Sequence, residues 1–307
     1  MIAYVLRRIV QGLIAVIIVL SIVFLVLNLS GDPVRLMLPP TASDESVAEM
    51  RTLMGLDRPL PVRYVAFLQR SAVLDFGRSI QTRRPAISMV QERLPATVQL
   101  SVTALFVATL IGVPLGMIAA LRRGTWVDRV AVLTSMVGQS TPVFWIALLL
   151  IFVFGVAFPI LPPSGFGRPA HLVLPSASIA LFLVAGITRI TRTSTIDVLS
   201  RPFVTVFRSR GLSERLILGK HVLRNAAVPI VTEIGLQLRF VIGGSVVVES
   251  IFGWPGIGQL LTRAAFGRDF PVVVAAVFVI ALCIIAVNLL LDLLYSVIDP
   301  RIKVWAR

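Results

Sequence analysis

The sequence predicts an all-α integral membrane protein with six transmembrane helices and a folded outer-side subdomain between the first and second. Three observations carry that prediction. The chain is 57% hydrophobic and only 14% charged, with a mean hydropathy of +0.92. Its apolar residues fall in uncharged runs long enough for a helix to cross a bilayer, which takes about 20 residues. Its basic residues collect between those runs. A soluble domain carries roughly a quarter of its residues charged. This chain cannot bury its apolar surface in one aqueous core and needs lipid as its solvent.

The first run, Ile9 to Leu29, follows Arg7 and Arg8. That pair holds the N-terminus in the cytoplasm, and the run is too long for the apolar core of a cleaved signal peptide. Residues 1–30 therefore form the cytoplasmic start and first span. Residues 31–95 are mixed polar, and Pro33, Pro39, Pro40, Pro59, Pro61 and Pro85 punctuate short helical stretches. One such stretch is Ser43 to Met54, with Asp44 and Glu45 suited to a first turn and Gly55 placed as a stop. This segment belongs on the outer side. Its nine arginines do not contradict that, because long loops cross largely regardless of charge.

Residues 96–307 hold the other five spans. Ala96 to Ala120 is the second, with Gly112 and Gly116 at the spacing that lets two helix backbones approach closely. Arg122, Arg123 and Arg129 mark a cytoplasmic loop. Val130 to Gly167 is free of charge and longer than one span requires, with Pro159, Pro162 and Pro163 at its exit. Leu172 to Thr188 is the fourth span. Arg189, Arg192, Arg201, Arg208, Arg210, Arg215, Lys220 and Arg224 then crowd a stretch whose only acids are Asp197 and Glu214, so 189–229 is cytoplasmic. Val228 to Ser250 is a fifth span that carries Glu233, Arg239 and Glu249. A Gly/Pro-rich outer loop, Phe252 to Pro271, leads to Val272–Leu291 and a basic tail with Arg301, Lys303 and Arg307. Six crossings return the C-terminus to the cytoplasm.

Several function classes fall away. The net charge of +14 would suit nucleic acid, but basic residues spread between apolar runs are a topology signal and not a phosphate-binding face. The only cysteine is Cys283 and the only histidines are His171 and His221, so no disulfide framework, zinc cluster or intramembrane metalloenzyme site can be assembled. A stand-alone secondary transporter or channel commonly shows repeats or broken helices in matching halves, and no convincing repeat is present.

Between Gly211 and Pro229 the chain reads GLSERLILGKHVLRNAAVP. Ser213 is placed to cap a helix, Leu212, Leu216, Leu223 and Ala227 share one face, and Glu214, His221 and Asn225 share the opposite one. An amphipathic helix at the cytoplasmic mouth suits docking on another protein. Gly219-Lys220 superficially suggests a phosphate loop, but position 214 is Glu and position 221 is His, so no Walker A motif exists.

That run resembles the EAA loop of the dipeptide, oligopeptide and nickel branch of ABC-importer permeases. The resemblance extends through Gly31-Asp32-Pro33, Gly55-Leu56-Asp57-Arg58-Pro59, Asp75-Phe76-Gly77, Leu94-Pro95-Ala96-Thr97, Phe252-Gly253-Trp254-Pro255-Gly256-Ile257-Gly258 and Asp299-Pro300-Arg301, in the order the family has them. Phe207 and Ser209 stand where that branch usually has small alanines, and Glu233 and Arg239 stand where it has neutral or apolar residues. The resemblance implies a type I ABC-importer permease fold in a bacterial cytoplasmic (inner) membrane, and a subunit that does no chemistry. A second homologous permease would complete the path, two ATPase subunits would bind ATP and Mg, and an extracytoplasmic solute-binding protein would deliver a peptide or similar small solute. It further implies an ATPase-coupling loop of Gly211, Ser213, Glu214, Arg215, His221, Arg224, Asn225 and Pro229. Glu233, Arg239 and Glu249 are the candidates for the path, and Phe252, Gly253, Trp254, Pro255, Gly256 and Gly258 for an outer gate. No catalytic residue, resident cofactor or metal site is expected.

Overall fold

The computed structural model describes residues 2–29, 43–53 and 57–298. Helices are the only extended regular elements among them; the single bridge pairs Arg78 with Pro85. Helix α1 spans Ile2–Leu29. Helix α2 spans Asp44–Leu53, and its start follows the expected chemistry: the Ser43 hydroxyl accepts the Ser46 amide at 3.2 Å, and Asp44 and Glu45 sit in the positive first turn. The proposed stop at Gly55, the Gly31-Asp32-Pro33 run and the basic tail from Asp299 lie outside the described residues. Helix α3, Leu60–Ala72, opens after Pro59. Helix α4 runs Ala86–Leu121 and begins ten residues before the expected start of the second span, continuing through Pro95 and Pro114. At 36 residues it is about 54 Å long, well beyond the hydrocarbon thickness.

The charge-free run 130–167 is not one straight helix. Helix α5 (Trp126–Ser140) and helix α6 (Val143–Leu150, continued as a π-wound segment over Ile151–Ala157) meet at 102°. Pro142 explains the break: it has no amide hydrogen to donate, and it holds Thr141 in extended geometry at φ −89° and ψ 124°. Helix α7 is Pro169–Leu199, far longer than the apolar run within it, and α8 is the short Pro202–Ser209. Helix α9 covers Glu214–Phe252, α-helical except for a π-wound segment over Ile217–Val222. Helix α10, Ile257–Phe266, occupies much of what reads as an outer loop, and α11 is Phe270–Ile298. Five described helices are long and apolar enough to cross a membrane, and the bent α5–α6 pair makes six.

Contacts divide the chain into two compact units, one of residues 1–95 with 256–285 and one of 96–255 with 286–307. The sequence reading kept 96–307 together; in the structure the α10 region joins the N-terminal unit instead. In that unit Val16 and Leu20 of α1, Ala86 and Val90 of α4, and Val272, Ala275 and Val279 of α11 form the core. Phe24 packs on Tyr64 and Phe67 of α3, each at 5.4 Å. Buried Asp269 accepts from the Ser79 hydroxyl and from the Ile80 amide at 3.0 Å, fastening the turn before α4 to the turn before α11.

In the second unit α4 presents Ala96, Leu100, Ala104 and Ala108, one per turn, to Leu183 and Ile187 of α7 and Val241 and Val248 of α9. Gly112 and Gly116 continue the stripe. A methyl at Gly116 would lie 2.6 Å from the Thr188 carbonyl oxygen, so only glycine permits this approach of α4 to α7. A separate small core of Val198, Val204, Ile217, Val222, Ala226 and Ile230 gathers the end of α7, α8 and the start of α9.

Candidate functional site

The coupling region is built by three helices and one glycine. Pro202 opens α8, which ends at Ser209; Gly211 adopts φ +75°, a left-handed turn that costs glycine nothing, and the chain reverses into α9. Ser213 stands at the N-cap position, but its hydroxyl makes no capping bond; its carbonyl accepts the Leu216 and Ile217 amides at 3.0 Å each. Across the turn Arg208 clasps Glu214, Nε to Oε1 at 2.7 Å and Nη2 to Oε2 at 3.4 Å. Arg208 lies outside the spanning helices, and this hydrogen bond raises its pKa further, so only the carboxylate of the pair ever loses its charge. Phe207 packs against His221 with the rings tilted, centroids 4.4 Å apart, and meets Phe203 edge-on at 5.7 Å. The bulk of Phe207 is thus used inside the loop.

The apolar face differs from the expected one. Ile217, Val222, Ala226 and Ile230 are buried, whereas Leu216 is 44% exposed and Leu212, Leu223 and Ala227 are only partly covered. The π-wound segment at 217–222 holds extra backbone per turn and shifts the helical phase, so a 3.6-residue template misassigns the inward side. Glu214, Arg215, Arg224 and Asn225 remain exposed. Lys220, His221, Arg224, Asn225 and Val228 line an open cleft of about 410 Å³. Asn225 Nδ2 donates to the His221 carbonyl at 2.7 Å. Gly219-Lys220 lies within this helix, whose amides are committed to helical bonds and cannot cradle a phosphate.

The three charged residues of the fifth span have different surroundings. Glu233 accepts from Gln237 Nε2 at 2.6 Å and is partly exposed. Arg239 has no ion-pair partner among the described residues, so a Glu233–Arg239 pair does not form; six positions apart, the two point to different sides of α9. Glu249, expected at the path with the other two, is 0% exposed. Its Oε1 accepts from Thr97 at 2.8 Å and from Ser245 at 3.2 Å, so it fastens α4 to α9.

In the Phe252–Gly258 stretch, Gly253 ends α9 at φ +64°, and the Trp254 amide returns to the Glu249 carbonyl at 2.9 Å. Trp254 is 2% exposed, not a residue of the lipid interface: its indole donates to the Ala96 carbonyl at 2.8 Å and meets Phe166 edge-on at 4.8 Å. The Gly165 amide bonds the Phe252 carbonyl at 3.0 Å. Pro255 leads to Gly256, which opens α10, and Gly258 is buried in its first turn.

Sequence reasoning missed three features. Arg192 binds Asp128 through Nε at 2.5 Å and Nη2 at 2.8 Å, tying α5 to α7; the signal was a lone acid beside an arginine cluster. Pro142, in mid-run, was the sign of the bend. The gathering of Gln139, Glu233 and Gln237 around Gly186 carried no local signal, because it joins three helices.

The comparisons agree with this architecture. Residues 112–304 match the family described as binding-protein-dependent transport system inner membrane component, and residues 1–101 match its N-terminal companion. The chain is 38% identical over 304 residues to the glutathione transport system permease protein GsiC of Salmonella choleraesuis (strain SC-B67), covering 99% of both chains. It is 38% identical over 305 residues to the protein of that name from Escherichia coli (strain K12), again covering 99% of both. Among solved structures, inward-facing MetNI methionine ABC transporter matches with a TM-score of 0.59 at 15% identity, over 69% of this chain and 96% of that one. Six apolar helical segments, a self-packed loop between the fourth and fifth, and two family matches that between them take in most of the chain lead to one conclusion: this chain belongs to the binding-protein-dependent transport system inner membrane component family, as the multi-pass permease subunit of an ABC importer.

Proposed function

We propose that this subunit forms half of a translocation path for short peptides, glutathione first among those to test, with a second homologous permease as the other half. Two ATPase subunits dock on the 189–229 region and hold the ATP and Mg; an extracytoplasmic solute-binding protein delivers the solute near the Phe252–Gly258 stretch. Both termini and the docking region face the cytoplasm, as the concentration of arginine there favours. Glu233 and Arg239 act within the path, while Glu249 holds the helices beside it.

The observation that carries this reading is the α8–turn–α9 module. It has a core of its own and an internal Arg208–Glu214 clasp, and it leaves Arg215, Lys220 and Arg224 exposed at the end of a spanning helix. A rigid, charged knob at that place is suited to carry force from a nucleotide-driven partner. The substrate class follows the relatives, which are named for glutathione transport. The test is to tag the chain in its host, extract in mild detergent and weigh what copurifies, then measure glutathione import. Recovery with a second permease and an ATPase pair, with weaker ATPase recovery or uncoupled hydrolysis for Glu214→Ala or Arg224→Ala, is expected. A lone chain, or variants with full recovery and coupled import, would overturn it.

A further inference from the structure

A polar cluster lies deep in the second unit, away from the coupling module. Gly186 of α7 is buried, and a methyl placed on it would sit 2.6 Å from Gln237 Nε2, 2.8 Å from Glu233 Oε1 and 3.2 Å from Gln139 Nε2. Three long polar side chains from α5 and α9 thus converge on one glycine. Within the cluster the single hydrogen bond runs from Gln237 to Glu233 Oε1. The second carboxylate oxygen of Glu233 and the amide of Gln139 have no partner among the described residues.

The sign of this site is fixed by two independent features. Glu233 supplies a carboxylate. Gln139 lies in the last turn of α5, just before the break at Pro142, so the carboxyl end of a half-helix, with its partial negative charge, terminates here. Gly138, packed with its would-be methyl 3.1 Å from Ala185 Cβ, holds that end against α7. A helix interrupted within a span is a recurrent way of presenting backbone dipoles to a transported group. The cluster is partly open, since Glu233, Gln237 and Gln139 are all incompletely covered. An intramembrane carboxylate with spare acceptor capacity calls for a cation.

We propose that Glu233, flanked by Gln139 and Gln237 and by the carboxyl end of α5, is a recognition site for the ammonium group of the transported solute. It rests on the peptide-importer reading above. A free amino group enters as a donor to the Glu233 carboxylate, whose second oxygen is open, and an acylated one has lost the charge that the site selects. Gly186 keeps the site open by lacking a side chain.

Two measurements test it. The first is import of radiolabelled glutathione by the whole transporter: Glu233→Gln should lower the maximal rate roughly tenfold or more with KM nearly unchanged, because the external protein sets capture. Gly186→Ala should act in the same direction. The second is thermal stability of the purified permease–ATPase complex without the binding protein. Glutathione should raise the melting temperature of wild type and not of Glu233→Gln, whereas N-acetylglutathione or sodium chloride should raise neither. Wild-type rates in Glu233→Gln overturn the proposal; so does an equal shift with the acetylated form, or a shift with sodium alone, which would assign the site to an inorganic cation. Failure of wild type to import glutathione would instead overturn the substrate reading, and the melting comparison repeated with a free dipeptide and its N-acetylated form would then decide this proposal by itself.

Discussion

Arg192 holds Asp128 with two parallel hydrogen bonds, at 2.5 and 2.8 Å, and the Gly124 amide adds a third at 2.9 Å to the Oδ2 that also accepts Arg192 Nη2. Asp128 is 5% exposed, whereas the Arg192 side chain keeps 21% of its surface open. The pair locks the entrance of α5, the helix that breaks at Pro142, onto α7. Asp128→Ala leaves a guanidinium without its partner and should cost about 2–4 kcal/mol, less than a fully enclosed pair because Arg192 reaches water. Thermal unfolding of the detergent-extracted subunit measures it. A double variant that also replaces Arg192 with Leu should recover part of the loss, and a loss that simply adds across the two sites would show the contact is not coupled.

Gly116 meets backbone, not a flexible side-chain tip. A methyl there would lie 2.6 Å from the Thr188 carbonyl oxygen and from Thr191 Cβ, so neither neighbour can swing aside. Gly116→Ala should therefore push α4 from α7 and destabilise by about 1–3 kcal/mol. The same assay reads this, and an unchanged melting temperature would mean that the helices have slack at this crossing.

What was legible in the sequence was whatever a bilayer or a family imposes locally. Long apolar runs located the five long helices and the bent α5–α6 pair, Ser43 with Asp44 located the start of α2, and Gly112 with Gly116 located a close approach of two helices. What was not legible depended on winding or on partners far along the chain. Helices α4 and α7 extend well beyond their apolar runs because backbone hydrogen bonding does not depend on apolar side chains. The inward face of α9 shifted because its π-wound segment breaks the 3.6-residue period. Trp254 and Glu249 read as surface features of a loop and a path, yet both are buried against the Ala96–Thr97 turn of α4, more than 150 positions away.

Trp254 joins the end of α9 to α4 through one indole bond and to the loop before α7 through one ring contact with Phe166. Trp254→Phe keeps most of the apolar volume but removes the donor to the Ala96 carbonyl, and should cost about 1–3 kcal/mol. Phe166→Leu should cost less alone. The two effects should couple, because the rings meet edge-on at 4.8 Å. A double-variant cycle with no coupling would show that the aromatic contact contributes nothing beyond area.

The Arg208–Glu214 clasp separates two roles that a single alanine variant confuses. Both side chains are about half exposed, so neither charge holds the fold, and single charge reversals should leave the melting temperature of the subunit unchanged. Their effect falls on the geometry of the turn between α8 and α9. Arg208→Glu sets two carboxylates face to face, and Glu214→Arg sets two guanidiniums so; either should weaken ATPase association and coupled import. Making both changes together restores an opposite-charge pair at the same place. If the clasp works by fixing the angle of the turn, the double reversal should regain most of the import lost by each single one, measured in the whole transporter at equal expression. If Glu214 instead contacts a positive group on the ATPase, the double reversal will remain as impaired as Glu214→Arg alone, and the clasp would be a by-product of where two long side chains lie.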